Sequence, residues 1–346
     1  RSLKTRDTKW LKFLWVKLVF VFWGTCILSA SMSPNPSYSL GEAFIWIRFP
    51  LFAMASAFWL ARDRRLLRLM LISTAFGLLL MCGILAAEIA TEGVKSRLSW
   101  PYNDFVSGNY LAKVGLPVIV FSTALFLSLR GFKSLLVGGF CLLVIGATMM
   151  TGERVNFLIL ICAASLTIFY LEPSWIKRSL FTILGSLVPI SIFAVFPDFF
   201  YRFIISFIAE LPFNADSQYY KAMAPAWAIF KIFPILGIGP GNFRYECQEL
   251  TAFLKSDYFC HNHPHNFYLQ ILSETGLLGL VSSAAFIGSI LFQCFRAGSS
   301  QRHVLQTTAW IIPFALFWPI KANADFFGQW NNIFLWSAVA LALSVA

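Results

Sequence analysis

Ten apolar runs follow one another along the chain, near residues 13–31, 43–61, 66–87, 109–129, 134–151, 155–172, 179–197, 266–295, 304–320 and 331–346. A helix needs about 20 apolar residues to cross the hydrocarbon core of a bilayer, and most of these runs approach that length. The fifth, sixth and last are shorter, which leaves their ends less sharply defined. The pattern predicts an all-α, polytopic membrane helical bundle of about ten transmembrane helices, folded as a single membrane domain over residues 1–346. Neither an internal repeat nor a low-complexity linker interrupts it. Only one stretch outside the runs is long, residues 198–265. Within it, residues 217–231 (SQYYKAMAPAWAIFK) read as a helix lying along the membrane surface, with Pro225 predicting a break or kink. The segment from Gly237 to Phe243 (GIGPGNF) reads as a tight turn with little room for side chains.

Composition supports the bilayer. Only 12% of the residues are charged and the mean hydropathy is +0.70, against about 25% charged in an ordinary soluble domain. A net charge of +11 would fit nucleic acid in a soluble protein. Here the basic residues sit in the gaps between apolar runs, where membrane topology puts them, so no nucleic-acid partner is expected. With the N-terminus in the cytoplasm, the inner gaps hold Arg1, Lys4, Arg6, Lys9 and Lys12, then Arg62, Arg64, Arg65 and Arg68, then Arg130 and Lys133, Lys177 and Arg178, and Arg296 and Arg302. The short outer segments hold only Arg48, Lys95, Arg97, Lys113, Arg154 and Lys321. This asymmetry makes 198–265 a long periplasmic loop. The first run lacks a small-residue cleavage site and reads as a first membrane helix rather than a signal peptide. The chain opens at Arg1 and stops inside an apolar run at Ala346, which suggests a trimmed or partial chain. Cys247 and Cys260 are the two cysteines outside the runs; a disulfide between them would suit an oxidising compartment, and two unrelated thiols are the alternative.

The stretch richest in chemistry is His261-Asn-His-Pro-His265-Asn266, where the long loop re-enters the membrane. His265 falls near a helix N-terminus, whose dipole disfavours imidazolium, and a neutral imidazole there can accept a proton. If the chain were extended, His261, His263 and His265 would share one face and suit a metal, but Pro264 and the helix start argue against a regular strand. Glu274 would lie about 13 Å deeper at helical rise, either as a functional carboxylate or paired with a buried partner. Gly276 and Gly279 have a spacing that lets another helix pack closely. Arg202 and Arg244 lie in the long loop, where solvated charge is the default. Trp100, Trp227 and Trp330 read as interfacial anchors.

His265-Asn266, nine residues, then Gly276-Leu-Leu-Gly279 resembles the signature of the O-antigen ligase family. The turn carrying Gly237, Gly239 and Gly241, the Thr151-Gly-Glu-Arg154 turn and, more weakly, the segment Arg97 to Asn109 resemble further family elements. One departure stands out. An arginine expected near the start of the surface helix is replaced by Ser217-Gln-Tyr-Tyr-Lys221, so Lys221 or an arginine elsewhere covers its role, or the substrate differs.

The resemblance implies a C-type glycosyltransferase-like fold in a Gram-negative inner membrane, multi-pass, with its active site facing the periplasm. The implied activity moves glycan from an undecaprenyl-diphosphate donor to lipid A–core, without nucleotide sugar, metal or other cofactor. Polysaccharide polymerases, which use a second lipid-linked glycan as acceptor, share much of the pattern. On this reading His265 is the candidate base. Arg48, Arg97 and Arg154, outward-facing against the positive-inside bias, are candidates for holding the diphosphate, because a guanidinium fork matches phosphate oxygens. Asn266 and the glycines are motif and structural residues. A transporter or flippase would show repeated halves or paired broken helices, and a scaffold would leave the histidine and arginine pattern without a role.

Overall fold

The computed structural model describes residues 9–103, 106–254, 256, 258–299 and 303–346. Arg1, Lys4 and Arg6 of the basic N-terminal stretch, Asp104 and Phe105 of the segment from Arg97 to Asn109, and Arg302 lie outside the described residues. The helices used below are α1 (Leu14–Ser31), α2 (Pro36–Trp46), α3 (Arg48–Arg62), α4 (Arg64–Glu92), α5 (Val106–Ser128), α6 (Phe132–Met150), α7 (Arg154–Leu171), α8 (Trp175–Val195), α9 (Gln218–Ile232), α10 (Phe243–Leu254), α11 (Phe267–Ser299), α12 (Val304–Thr308), α13 (Ile311–Leu316) and α14 (Gln329–Val345). No strand occurs among the described residues.

Every apolar run of the sequence becomes helix, which is the expected class of architecture. Eight of the described helical segments are long and apolar enough to cross a membrane, against the ten runs counted. The difference lies in the last two runs. The run at 304–320 is divided into α12 and α13 by a turn at Ala309-Trp310. Pro313 lies four residues after Ala309, and its ring excludes the helical carbonyl at that position. The last run forms the apolar 17-residue α14. Pro50 has the same effect earlier: α2 ends at Trp46, four residues before it, and α3 restarts at Arg48.

The chain forms two compact units. One comprises Arg1–Phe58, Ala209–Phe292 and Phe317–Ser337. Its centre is an aromatic cluster drawn from distant parts of the sequence. Phe22 lies 5.1 Å from Trp46 and 5.3 Å from Phe286, while Phe326 lies 5.7 Å from Trp46 and 5.2 Å from Phe267. Two of these four pairs, Phe22 with Trp46 and Phe326 with Phe267, meet edge to face, an arrangement that favours the ring quadrupoles. In a membrane such dispersion contacts, rather than release of water, hold helices together. Phe326 belongs to the irregular segment between α13 and α14, so this core anchors that segment.

The other unit comprises Trp59–Ile208, Gln293–Leu316 and Ala338–Ala346. Its most buried span is α5, with Leu111, Leu116, Ile119 and Phe121 inside. By contrast, α8 buries none of its residues, as befits a span whose sides meet lipid. The loop 198–265 is mostly helical: short helical turns over residues 197–209, then α9 and α10. The break expected at Pro225 does not occur, since α9 runs unbroken from Gln218 to Ile232, capped by the Ser217 hydroxyl.

Candidate functional site

The segment bearing His265 is fixed from both sides. Pro225 has no N–H, which frees the Lys221 carbonyl one turn earlier. That carbonyl accepts instead from the Phe259 N–H at 3.1 Å, and the Lys221 ammonium lies 5.8 Å over the Phe259 ring. The next residue, Cys260, is joined to Cys247 by a disulfide. Cys247 lies on α10, fully buried in a cluster with Ala226, Ile229, Ile238 and Phe243. On the other side, Asn266 caps α11: its Oδ1 accepts from the N–H groups of Tyr268 (3.0 Å) and Leu269 (3.1 Å), the N-cap arrangement expected of Asn. Its amide also donates to the carbonyls of Pro319 (2.8 Å) and Lys321 (3.3 Å). Between these anchors His265 adopts φ +56°, a left-handed conformation uncommon for a residue other than glycine. Its carbonyl accepts from Asn323 N–H at 2.7 Å, holding the strained backbone in place.

The glycines form a second clamp in the same unit. Gly276 (φ +64°) is a non-helical residue inside α11, and the turn at 234–239 fills the break. Ile238 and Gly239 donate to the carbonyls of Ser273 (3.1 Å) and Glu274 (2.7 Å), while Leu277 and Leu278 donate to those of Pro234 (2.9 Å) and Ile235 (3.3 Å). A side chain at Gly276 would run into the Ile235 carbonyl, and one at Gly237 would sit 2.5 Å from backbone carbon of Glu274. The packing expected of Gly276 is therefore backbone against backbone, with a turn rather than with another helix. Glu274, fully buried, accepts from Phe243 N–H at 3.1 Å and from the Gln270 amide at 3.3 Å. Gln270 also donates to Asp325 at 2.7 Å, and Asp325 pairs with Arg244 at 3.3 Å. Thus Arg244 is half-buried and paired rather than solvated, and Glu274 takes the paired role left open for it.

Three imidazoles converge on the turn. The His265 ring centroid lies 4.5 Å from that of His263 and 5.0 Å from that of His261, and Tyr219 meets His265 edge to face at 6.5 Å. Burial, followed by the neighbouring His263 and His261, lowers the His265 pKa to about 4. His265 is therefore neutral near pH 7 and able to accept a proton. Among the described residues no group of three or more His, Cys, Asp or Glu could hold a metal ion.

The arginines divide between the two units. Arg48 belongs with the histidine turn's unit; it is exposed, donates to Gln329 at 3.0 Å and covers the Phe49 ring at 4.7 Å. Arg97 and Arg154 belong to the other unit, where the 151–154 turn brings them together. Leu98 N–H reaches the Met150 carbonyl at 3.0 Å, and Arg97 is ion-paired with Glu153. Arg154 lies 5.8 Å over the Phe207 ring. Arg202 donates to the Gly152 carbonyl at 2.9 Å, so it joins this cluster although nothing in its sequence context marks it. Buried Glu88 holds the 97–100 segment by accepting from the N–H groups of Ser99 (3.0 Å) and Trp100 (2.9 Å).

A family model described as O-antigen ligase matches residues 139–284. Over that stretch, less than half of the chain, the protein is similar to the O-antigen ligase family. The ligase match takes in Arg154, Arg202, the glycine clamp and the whole histidine turn, and leaves out Arg48, Arg97 and Lys321. With the membrane helices, this likeness supports a multi-pass membrane protein of the ligase or polymerase type, a glycosyltransferase-like enzyme. Among solved structures, one similar chain comes from work titled "Structural coordination of polymerization and crosslinking by a peptidoglycan synthase complex". The two share 17% identity with a TM-score of 0.56, over 97% of this chain and 98% of that one, a likeness of fold. No curated protein matches the chain by sequence.

Proposed function

We propose that the protein is an O-antigen ligase, transferring glycan from an undecaprenyl-diphosphate donor to lipid A–core at the periplasmic face of the inner membrane. The observation that carries the reading is the neutral imidazole of His265, half-buried in a strained turn fixed on both sides by backbone and disulfide. His265 takes the proton of the acceptor hydroxyl as that oxygen attacks the anomeric carbon of the donor sugar. The anomeric carbon–oxygen bond breaks, and undecaprenyl diphosphate leaves as an anion stable enough to need little protonation. The catalyst therefore has two tasks, activating the hydroxyl and neutralising the diphosphate. Arg154, Arg97 and Arg48 serve the second, because guanidinium stays charged and pairs in a fork with phosphate oxygens. Asn266, Gly237, Gly239, Gly241, Gly276 and Gly279 hold the histidine turn and its helix. No metal or other cofactor enters this scheme.

The test supplies purified protein in EDTA with undecaprenyl-diphosphate glycan, and with lipid A–core or no second acceptor. Glycan appearing on lipid A–core is the expected result. Lengthened lipid-linked glycan without lipid A–core would make the protein a polymerase using the same residues. Folded protein that is silent in both tubes would sink the assigned donor and acceptor.

A further inference from the structure

Lys321 is only 8% exposed. It lies in the irregular segment between α13 and α14, directly beside the histidine turn: its carbonyl accepts from the Asn266 amide, and two residues later Asn323 N–H holds the His265 carbonyl. The core anchors this segment through Phe326, and Gln270 donates to Asp325, so the backbone carrying Lys321 has little freedom. Among the described residues no carboxylate pairs with its ammonium. Asp325, the acid of the same segment, is engaged by Arg244 and Gln270.

A buried ammonium without a counter-charge is costly. Replacing such a group by an apolar side chain normally stabilises a protein, so its presence calls for an anion that arrives later. Sequence reading placed Lys321 among the few outward basic residues and assigned it no role. We propose that Lys321 is an oxyanion-binding residue that receives a phosphate of the lipid-linked donor beside His265. This deepens the ligase reading and rests on it for the identity of the donor. Burial alone lowers the Lys321 pKa to about 8, and an arriving phosphate would raise it again by favouring the charged form. Lysine suits the task as a compact point charge on a flexible stem.

The test compares wild-type protein with Lys321→Met and Lys321→Arg in detergent, by thermal melting and by titration with two probes, undecaprenyl diphosphate and phosphatidylglycerol. Wild type should bind undecaprenyl diphosphate, and Lys321→Met should bind it at least about tenfold more weakly. Without ligand the Met variant should melt no lower than wild type, and Lys321→Arg should recover part of the binding. If Lys321→Met binds undecaprenyl diphosphate as tightly as wild type, the residue's role is overturned while the donor reading stands. Unliganded Lys321→Met melting several degrees lower would make Lys321 a structural residue and overturn the proposal. Equal binding of phosphatidylglycerol and undecaprenyl diphosphate by wild type, both lost in the Met variant, would overturn the donor as the source of the phosphate. No binding of undecaprenyl diphosphate by wild type would overturn both the donor reading and the role given to Lys321.

Discussion

The histidine turn and the arginine turn are held in different ways. Residues 258–266 are fixed chiefly by main-chain groups and a covalent link: Phe259 N–H to Lys221, Cys260 to Cys247, the His265 carbonyl to Asn323, and the Asn266 cap. The 151–154 turn has main-chain bonds of its own, but its neighbours reach it by long charged side chains, Arg97 to Glu153 and Arg202 to the Gly152 carbonyl. A group that must take a proton has to sit within a few tenths of an ångström of its target, since misplacement is costly in rate. Cations that hold a diphosphate need charge and reach, and can exchange one partner for another. On the proposed function, each turn has the kind of support its task requires.

The largest way to break this contrast is to attack the backbone clamp beneath the histidine turn. Gly276→Ala places a Cβ at a positive φ against the Ile235 carbonyl, where neither backbone can give way cheaply. A loss of more than about 3 kcal/mol is expected, seen as lost folded protein in size-exclusion chromatography and thermal melting. Wild-type yield and melting from that variant would show that the clamp is soft.

His265→Ala comes next and acts on chemistry rather than fold. A positioned general base contributes roughly 10²–10⁴-fold, so transfer should fall by that factor while melting stays near wild type. The pH dependence follows from the lowered pKa. The folded-state value of about 4 lies below the ordinary 6.5, so a neutral base and the stability it brings are fully present above pH 6.5. The stability is lost progressively as pH falls from 6.5 toward 4, while the neutral base of the folded protein persists until the pH approaches 4. The rate against pH should stay flat from about 8 to 5.5, with its acid limb well below that of a solvated imidazole. A limb at 6.5 would mean that His265 is not the titrating base or is not buried during turnover.

Reducing the disulfide is a gentler probe of the same turn. It joins residues 13 apart, and closing a loop of that size is worth about 3 kcal/mol when the chain-entropy model holds. Cys247→Ala with Cys260→Ala, or reductant on the native protein, should lower the melting temperature and slow transfer by loosening the segment that leads into His265. An unchanged rate and melt would leave the hydrogen bonds from Asn323 and to Lys221 as sufficient support.

Different parts of this arrangement were legible in the sequence to different degrees. Apolar runs report helices because spanning segments need both length and apolarity, and each of the eight helical segments long and apolar enough to span overlaps one of them. His265, Asn266 and the 237–241 glycines stood out because rare residue types in fixed order carry local meaning. Contacts between distant segments leave no such local trace. Nothing near Gly276 reveals that its backbone lies against residue 235, nor near Arg244 that Asp325 awaits it. Pro225 is the instructive case. Its local effect is to free a carbonyl, and sequence reading turned that into a helix break. In the fold the carbonyl finds Phe259 instead, and the helix continues. Arg202 and Lys321 were missed for a related reason: burial and pairing, not residue type, set them apart.

The smallest expected effect tests the arginine turn itself. Arg97 and Glu153 are an ion pair with side chains about one-third and one-fifth exposed, where such pairs typically contribute no more than about 1 kcal/mol. Glu153→Gln should therefore shift the melting temperature by only a few degrees. It also removes the carboxylate that competes with phosphate for Arg97, so the KM for the lipid-linked donor should fall a few-fold with kcat little changed. A raised KM would instead show that Glu153 orients Arg97 toward the donor. An unchanged KM would remove Arg97 from the diphosphate site. Arg154 is then the sharper comparison, because Arg154→Lys keeps the charge and loses only the fork. Weaker donor binding in that variant, alongside tighter binding in Glu153→Gln, would mean that the turn works through exchangeable charged side chains, in contrast to the fixed backbone around His265.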